Sequence, residues 1–123
     1  MAYVDGYVVP VPKTKLKTYI PMARWGERTW KKHGALDYKE CVADDLKVKW
    51  GTSFTRVMKL KPGETVVFAY VVFKSRAHRD RVNARVMKEM TASGPPPDMP
   101  FDVKRMVYGG FKVAVGGGRR RGR

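Results

Sequence analysis

An uninterrupted apolar run, Val66 to Phe73 (VVFAYVVF), constrains the fold of this 123-residue chain more than any other feature. The run is far shorter than the ~20 residues of a membrane-spanning helix, and its β-branched and aromatic content predicts a strand over Thr65–Phe73. Successive side chains of a strand point to opposite faces. One face carries Val67, Ala69, Val71 and Phe73, and the other carries Val66, Phe68, Tyr70 and Val72. We therefore expect both faces of this strand to be buried.

The segments around this strand predict an α+β chain. The predicted elements are strands over Tyr3–Val11, Leu36–Ala43 and Arg105–Val113 and helices over Thr14–Lys32 and Arg76–Met90. Pro21 removes a backbone donor from the first helix, so a kink or a later start is expected there, and Ser75 is the expected N-cap of the second helix. Leu46–Gly63 is interpreted as an excursion with two short extended pieces, around Val48–Trp50 and Arg56–Leu60. The order β-α-β-β-α-β predicts a ferredoxin-like subunit, with two helices on one side of an antiparallel sheet.

The length suits one domain with one core. We expect residues 1–115 to form that domain and residues 116–123 (GGGRRRGR) to be a disordered tail, because the tail has no apolar side chain to bury. Cys41, the only cysteine, excludes an internal disulfide. It lies in an apolar-flanked strand and is therefore expected to be an inert core residue. Neither a metal site nor a cofactor is predicted, since the two histidines are far apart in the sequence.

The apolar second face of the Thr65–Phe73 strand needs a cover, because two helices can cover only one face of such a sheet. Face-to-face packing of the sheets in a two-fold homodimer satisfies this need. The alternative is that the excursion folds back over its own sheet. Both interpretations stay open at the level of the sequence.

Basic residues dominate the charge: 26 Lys and Arg against 11 Asp and Glu give a formal net charge of +15. This balance favours nonspecific contact with a polyanion such as RNA. The candidate contacts are Lys17, Arg24, Arg28 and Lys31 on the first helix and Arg119, Arg120, Arg121 and Arg123 in the tail. No aromatic ribonucleoprotein strand or zinc-finger spacing accompanies them. The alternative is that the helical stripe is simply a solvated face.

A small-molecule pocket between the helices and the sheet is the leading functional hypothesis. Arg79 and Asn83 lie one turn apart on the apolar side of the second helix, where inward polar groups need partners or a ligand. Arg79 suits a carboxylate or phenolate, and His78 is a candidate proton carrier. Trp30 and Tyr38 are candidate aromatic walls. The alternative is that Arg79 forms a structural pair with a carboxylate such as Asp102 or Asp5.

The remaining sequence signals are weak. No nucleophile elbow, Walker loop or dinucleotide-binding loop occurs, so enzymatic activity stays undetermined. The N-terminus lacks a basic segment followed by an apolar stretch, so we expect no signal peptide, no membrane insertion and a cytoplasmic location.

Four segments carry a family resemblance. They are YVDGYVVPVPK (Tyr3–Lys13), HGALDYKECVADDLKVKWG (His33–Gly51), KPGETVVFAYVVFKSRAHRDRVNARVM (Lys61–Met87) and MPFDVKRMVYGGFK (Met99–Lys112). Together they resemble the YbaA-like family of uncharacterised bacterial proteins. The resemblance implies a dimeric α/β barrel, in which two ferredoxin-like subunits join sheet to sheet, and it implies no established activity. Pro21, Trp25 and the Gly/Arg tail depart from the family pattern.

Overall fold

The computed structural model describes residues 1–94 and 99–116. Within them the chain forms four strands and three α-helices: β1 (Tyr3–Pro12), α1 (Leu16–Lys32), β2 (Asp37–Val42), α2 (Phe54–Val57), β3 (Glu64–Phe73), α3 (Arg76–Ser93) and β4 (Val107–Lys112). The predicted tail, with Arg119, Arg120, Arg121 and Arg123, lies outside the described residues apart from Gly116. No helix of the described residues is long and apolar enough to cross a membrane.

The strands form one antiparallel sheet in the order β2-β3-β1-β4. This confirms the α+β class. The long helices α1 and α3 pack on one face, which we call the helix face. Two apolar clusters lie on it: one joins Val71 and Phe73 to Val82 and Val86 of α3, and the other joins strand residues such as Val67 to Tyr19 and Ala23 of α1.

Local signals explain where the helices begin and end. The first helix begins at Leu16 after a 3-10 turn over Lys13–Lys15, and Pro21 lies inside it. Gly34 follows its last residues with φ of +119°, a value that favours glycine. The second long helix begins after Ser75, whose side chain accepts a hydrogen bond from the His78 backbone N–H at 3.1 Å, as an N-cap does.

The segment between β2 and β3, residues 43–63, departs from expectation. We call it the arm. In place of the extended piece predicted around Arg56, the arm contains the short helix α2, because the Ser53 side chain caps it by accepting from the Arg56 backbone N–H at 3.2 Å. The Arg105 guanidinium holds the end of the arm by donating to the Lys59 carbonyl at 3.1 Å and to the Glu64 carboxylate at 2.6 Å. The last strand was expected to start at Arg105, but the backbone of Val103–Arg105 forms a 3-10 turn and β4 begins only at Val107.

The second sheet face, which we call the open face, is covered only in part. Val66 is buried, whereas Phe68, two residues along on the same face of β3, is 46% exposed. On β4 the open face carries Val107 and Phe111, which are 57% and 61% exposed. Within the residues that the structure describes, the open face of β3 is therefore buried at Val66 and exposed at Phe68, so the expected burial of both faces needs a further cover at Phe68.

We predict that Gly26→Ala destabilises the protein although alanine is the better helix former. Gly26 is buried in α1, and a Cβ there would lie 2.6 Å from the Tyr38 hydroxyl of β2. Alanine gains about 1 kcal/mol over glycine in a free helix, but overpacking costs about 1–3 kcal/mol. Urea unfolding should therefore show a net loss. In a Tyr38→Phe background, which removes the contacted oxygen, at least half of that loss should disappear. A stabilised Gly26→Ala protein would show that α1 does not approach Tyr38 this closely.

Candidate functional site

The candidate site is centred on Asp5, a carboxylate of β1 that is only 3% exposed. Arg79 of α3 donates from Nη1 to Asp5 Oδ1 at 2.8 Å, and Asn83, one turn later, donates from Nδ2 to Asp5 Oδ2 at 3.2 Å. Trp30 of α1 donates from its indole nitrogen to Asn83 Oδ1 at 3.0 Å. A buried carboxylate is stable only when paired and hydrogen-bonded. These hydrogen bonds therefore connect β1, α3 and α1 through the Asp5 carboxylate.

The Arg79 guanidinium is held in a fixed orientation. Its Nε donates to Asp80 Oδ1 at 2.8 Å, and its central carbon lies 4.9 Å from the centroid of the Tyr3 ring, a cation–π distance. Nη2 is 3.5 Å from the Tyr3 hydroxyl, which is a long contact for a hydrogen bond. The side chain retains partial exposure. Arg79 thus has donor capacity beyond its contacts with Asp5 and Asp80.

A second carboxylate, Glu40 of β2, accepts from two tyrosines. Tyr38 donates to Glu40 Oε2 at 2.5 Å, and Tyr19 of α1 donates to Glu40 Oε1. Burial raises the pKa of both phenols, and the neighbouring Glu40 carboxylate raises it further. Both phenols therefore stay neutral donors well above the usual tyrosine pKa.

Tyr7 is close to both carboxylates on the helix face: it follows Asp5 by two residues on β1 and lies in the same cross-strand row as Glu40. Cross-strand pairing puts Tyr108, Tyr7, Ala69 and Glu40 in one row on the helix face. The rings of Tyr7 and Tyr108 stack with centroids 5.8 Å apart and planes 13° apart. Burial raises the pKa of Tyr7 to about 12, with a further contribution from the Asp5 charge. Tyr108 is 68% exposed, so this row reaches the surface at β4.

These residues form a polar layer between the two apolar clusters of the helix face. We define the polar layer as Asp5, Tyr7, Tyr19, Trp30, Tyr38, Glu40, Arg79 and Asn83. The polar layer thus brings charged, hydrogen-bonding and aromatic side chains next to one another on the helix face. Chemically, it can orient a small molecule by hydrogen bonds and stack on its rings.

The structure brings most of the predicted pocket residues together. Trp30, Arg79 and Asn83 belong to one hydrogen-bonded chain, and the Tyr38 ring lies 5.8 Å from the Trp30 ring, centroid to centroid. His78 lies elsewhere: its Nδ1 accepts from the Lys74 backbone N–H at 3.0 Å at the start of α3. Burial, followed by the charge of Lys74, lowers the pKa of His78.

Sequence reasoning missed Tyr7, Tyr19 and Glu40 as members of the layer. Two signals were available. Glu40 follows Tyr38 by two residues, which places both on the same face of one strand. Gly26 interrupts the interior of a helix, which is a mark of close approach, and it lies against Tyr38. The sequence indicates Asp5 only as a structural partner of Arg79.

The candidate polyanion contacts on α1 lie on its outer surface. Lys17, Arg24 and Arg28 are exposed, and Lys31 forms an ion pair with Glu27 at 3.3 Å. Cys41, expected in the core, is exposed instead, because it points to the open face of the edge strand β2. Within residues 1–94 and 99–116, no group of three or more His, Cys, Asp or Glu side chains is placed to hold a metal ion.

Comparison with known proteins places the chain in a family. The model of a family described as "Protein of unknown function (DUF1428)" matches residues 2–103. The chain belongs to this family. It is 39% identical over 115 residues to the "Uncharacterized protein YbaA" of Escherichia coli K12, covering 94% of this chain and 98% of that protein. The protein of the same description from Shigella flexneri matches equally.

A solved structure of low sequence identity also aligns with the chain. The "De novo designed protein Foldit4" aligns with 90% of this chain and 94% of its own length, at 12% identity and a TM-score of 0.43. The family assignment therefore depends on the family model and the YbaA proteins. It confirms the resemblance stated from the sequence.

We predict that the polar layer makes the protein sensitive to alkaline pH. Tyr7, Tyr19 and Tyr38 have raised pKa values in the folded state. Their contribution to the free energy of unfolding is therefore fully present at pH values below the pKa of tyrosine in the unfolded chain, which is near 10. For Tyr7 this contribution is lost as pH rises from about 10 to about 12. Tyrosinate absorbance should therefore rise in two stages, with these three phenols ionising only as the protein unfolds. Tyr7→Phe should flatten the fall in stability over that interval. One stage near pH 10 with the fold intact would contradict the layer.

Proposed function

We propose that this chain is a cytoplasmic homodimer of the dimeric α/β-barrel type, built from ferredoxin-like subunits, that binds a small aromatic or acidic molecule between its helices and its sheet. The element order β-α-β-β-α-β, with the arm between β2 and β3 and the strand order β2-β3-β1-β4, supports the ferredoxin-like subunit. The two long helices on a single face of the sheet support it further.

The open face supports the homodimer. Over residues 4–10 of β1, 66–72 of β3 and 107–111 of β4, the side chains on this face are all uncharged. A contiguous exposed apolar face of this kind is typical of a protein interface. Two copies that pack face to face would bury Phe68, Val107 and Phe111, whose exposure to water is otherwise unfavourable.

The polar layer is the observation that carries the proposal of a ligand. The Asp5 contacts are enough to hold the helices to the sheet, so that role does not account for the Tyr7–Tyr108 stack at the surface or for the further donor capacity of Arg79. Arg79 is bound to Asp5, and the cross-strand partner of Asp5 is Gly110, in the row next to the Tyr7–Tyr108 stack. An oriented guanidinium and an aromatic surface thus lie in neighbouring rows where the layer reaches β4. A planar molecule with a carboxylate or hydroxyl group matches both.

The proposal predicts what native mass spectrometry of the full chain, purified gently from its own host, should detect. We expect a dimer that carries one additional small mass per protomer. Arg79→Lys keeps the charge but loses the planar fork, and Tyr108→Ala removes the exposed half of the stack. Each variant should lose most of the bound mass while remaining a dimer. Trp50→Ala is the matched control, because Trp50 is exposed on the arm outside the polar layer.

The alternatives give different spectra. A bare dimer of the unaltered chain would overturn the ligand, and a monomer at every concentration would overturn the homodimer. Polydisperse nucleic acid, released by salt, would favour the second candidate function, nonspecific RNA binding. The observation in favour of that candidate is that Lys17, Arg24 and Arg28 are exposed on α1 and form no ion pair with any residue that the structure describes.

A further inference from the structure

One corner of the open face contains an apolar groove. The arm lies beside the edge of the sheet there and leaves a groove of about 300 Å³, whose lining includes Val8, Cys41, Leu46, Phe54, Val66 and Phe68. A cavity of about 150 Å³ is enough to hold a benzene ring. The groove therefore has room for one aromatic side chain, with apolar atoms on the sheet side and the arm side.

The diagonally opposite corner of the same face carries an exposed aromatic side chain. Phe111 is 61% exposed on the edge strand β4, and its ring lies over Gly6 and Gly109, 3.6 and 4.0 Å from where their Cβ atoms would be. Cys41 lies on the other edge strand, β2. Three strand spacings of ~4.8 Å separate those edges, so at least about 14 Å separates the two residues within one chain. Phe111 cannot fill the groove of its own chain.

Charge indicates which occupant suits this face. Each copy carries a formal net charge of +15, so contacts between copies elsewhere on the surface bring like charges together. The open face is uncharged over residues 4–10 of β1, 66–72 of β3 and 107–111 of β4, and the Lys39–Asp37 pair of β2, at 2.9 Å, is internally balanced. Two copies can therefore meet at this face without repulsion between its side chains, whereas a charged partner finds nothing to pair with there.

We propose that, in the homodimer, Phe111 of each copy fills the groove of the other. This inference rests on the homodimer proposed above and adds its register. A two-fold interface repeats each contact, so one Phe111 and one groove per chain give two identical contacts between Phe111 and a groove. Phe111 and the groove occupy diagonal corners of the face. The two-fold axis that exchanges them therefore lies between the two sheets, perpendicular to the line from Phe111 to the groove. The strands of the two copies consequently cross at a steep angle, as in orthogonal sheet packing.

The single cysteine makes the register directly testable. In the proposed register, Phe111→Cys adds one thiol opposite the natural Cys41 of the other copy, and a disulfide between them requires Cα atoms within about 7 Å. Under a mild oxidant, which takes up the two thiol hydrogens as the S–S bond forms, we expect a covalent dimer. Peptide mass mapping should identify its link as Cys41 to the introduced cysteine. A link within one chain is excluded by the separation of at least about 14 Å.

Two controls separate this inference from the homodimer itself. Met87 is exposed on α3, on the helix side of the sheet. Met87→Cys should therefore give no more covalent dimer than the unaltered chain gives. Phe111→Asp should weaken dimerisation at least about 30-fold in analytical ultracentrifugation, whereas Met87→Asp should leave it unchanged. A dimer that lacks the Cys41 link to position 111, or one that links Cys41 to Cys41, would overturn the register alone. A monomeric unaltered chain would overturn both the register and the homodimer.

Discussion

The buried carboxylate of Asp5 is the constraint on which the arrangement of this molecule depends. Apolar contacts are non-directional, so the two clusters alone do not fix how the helices lie on the sheet. Asp5 does, because its two oxygens need Arg79 and Asn83, which are four residues apart on α3. Asn83 in turn accepts from Trp30 and so positions α1. Removal of one partner from such a buried pair costs about 3–5 kcal/mol, which is a large share of the stability of a small domain.

The two faces of the sheet differ in which side chains are protected from water. On the helix face, charged and phenolic groups are buried and satisfy one another, as the two tyrosines on Glu40 illustrate. On the open face, apolar side chains such as Phe68 and Phe111 are exposed, without a cover from residues 1–94 and 99–116. The proposed ligand site depends on the polar groups of the first face. The proposed homodimer depends on the apolar side chains of the second.

Much of the fold could be predicted from the sequence because the strands and long helices have strong local signals. The two-sided apolar run predicted β3, and Ser75 marked the start of the second long helix, which the structure confirms. The α2 helix carries a local signal in the Ser53 cap, but the path of the arm could not be predicted, because Arg105 holds its end at the Lys59 carbonyl from more than forty residues away. The exposure of Cys41 was also missed, since strand composition does not reveal which strand lies at an edge.

The candidate site was predictable in outline and not in its centre. Arg79 and Asn83 follow from helical spacing beside apolar residues, and Trp30 and Tyr38 follow from aromatic content. The identity of their partners follows from strand register, which places Asp5 and Tyr7 on the helix face together with Glu40. Register is a property of pairing between distant segments, so composition and period alone do not specify it.

Hydrogen exchange of the Trp30 indole N–H tests the central claim most directly. This proton is donated to Asn83 inside the polar layer, whereas Trp50 on the arm is exposed. Their indole signals can be followed separately by NMR once each is assigned with a Trp→Phe variant. The account predicts that the Trp30 indole proton exchanges only through unfolding, while that of Trp50 exchanges at once. Exchange of Trp30 as fast as that of Trp50 would show that the Asp5-centred layer does not hold the helices to the sheet.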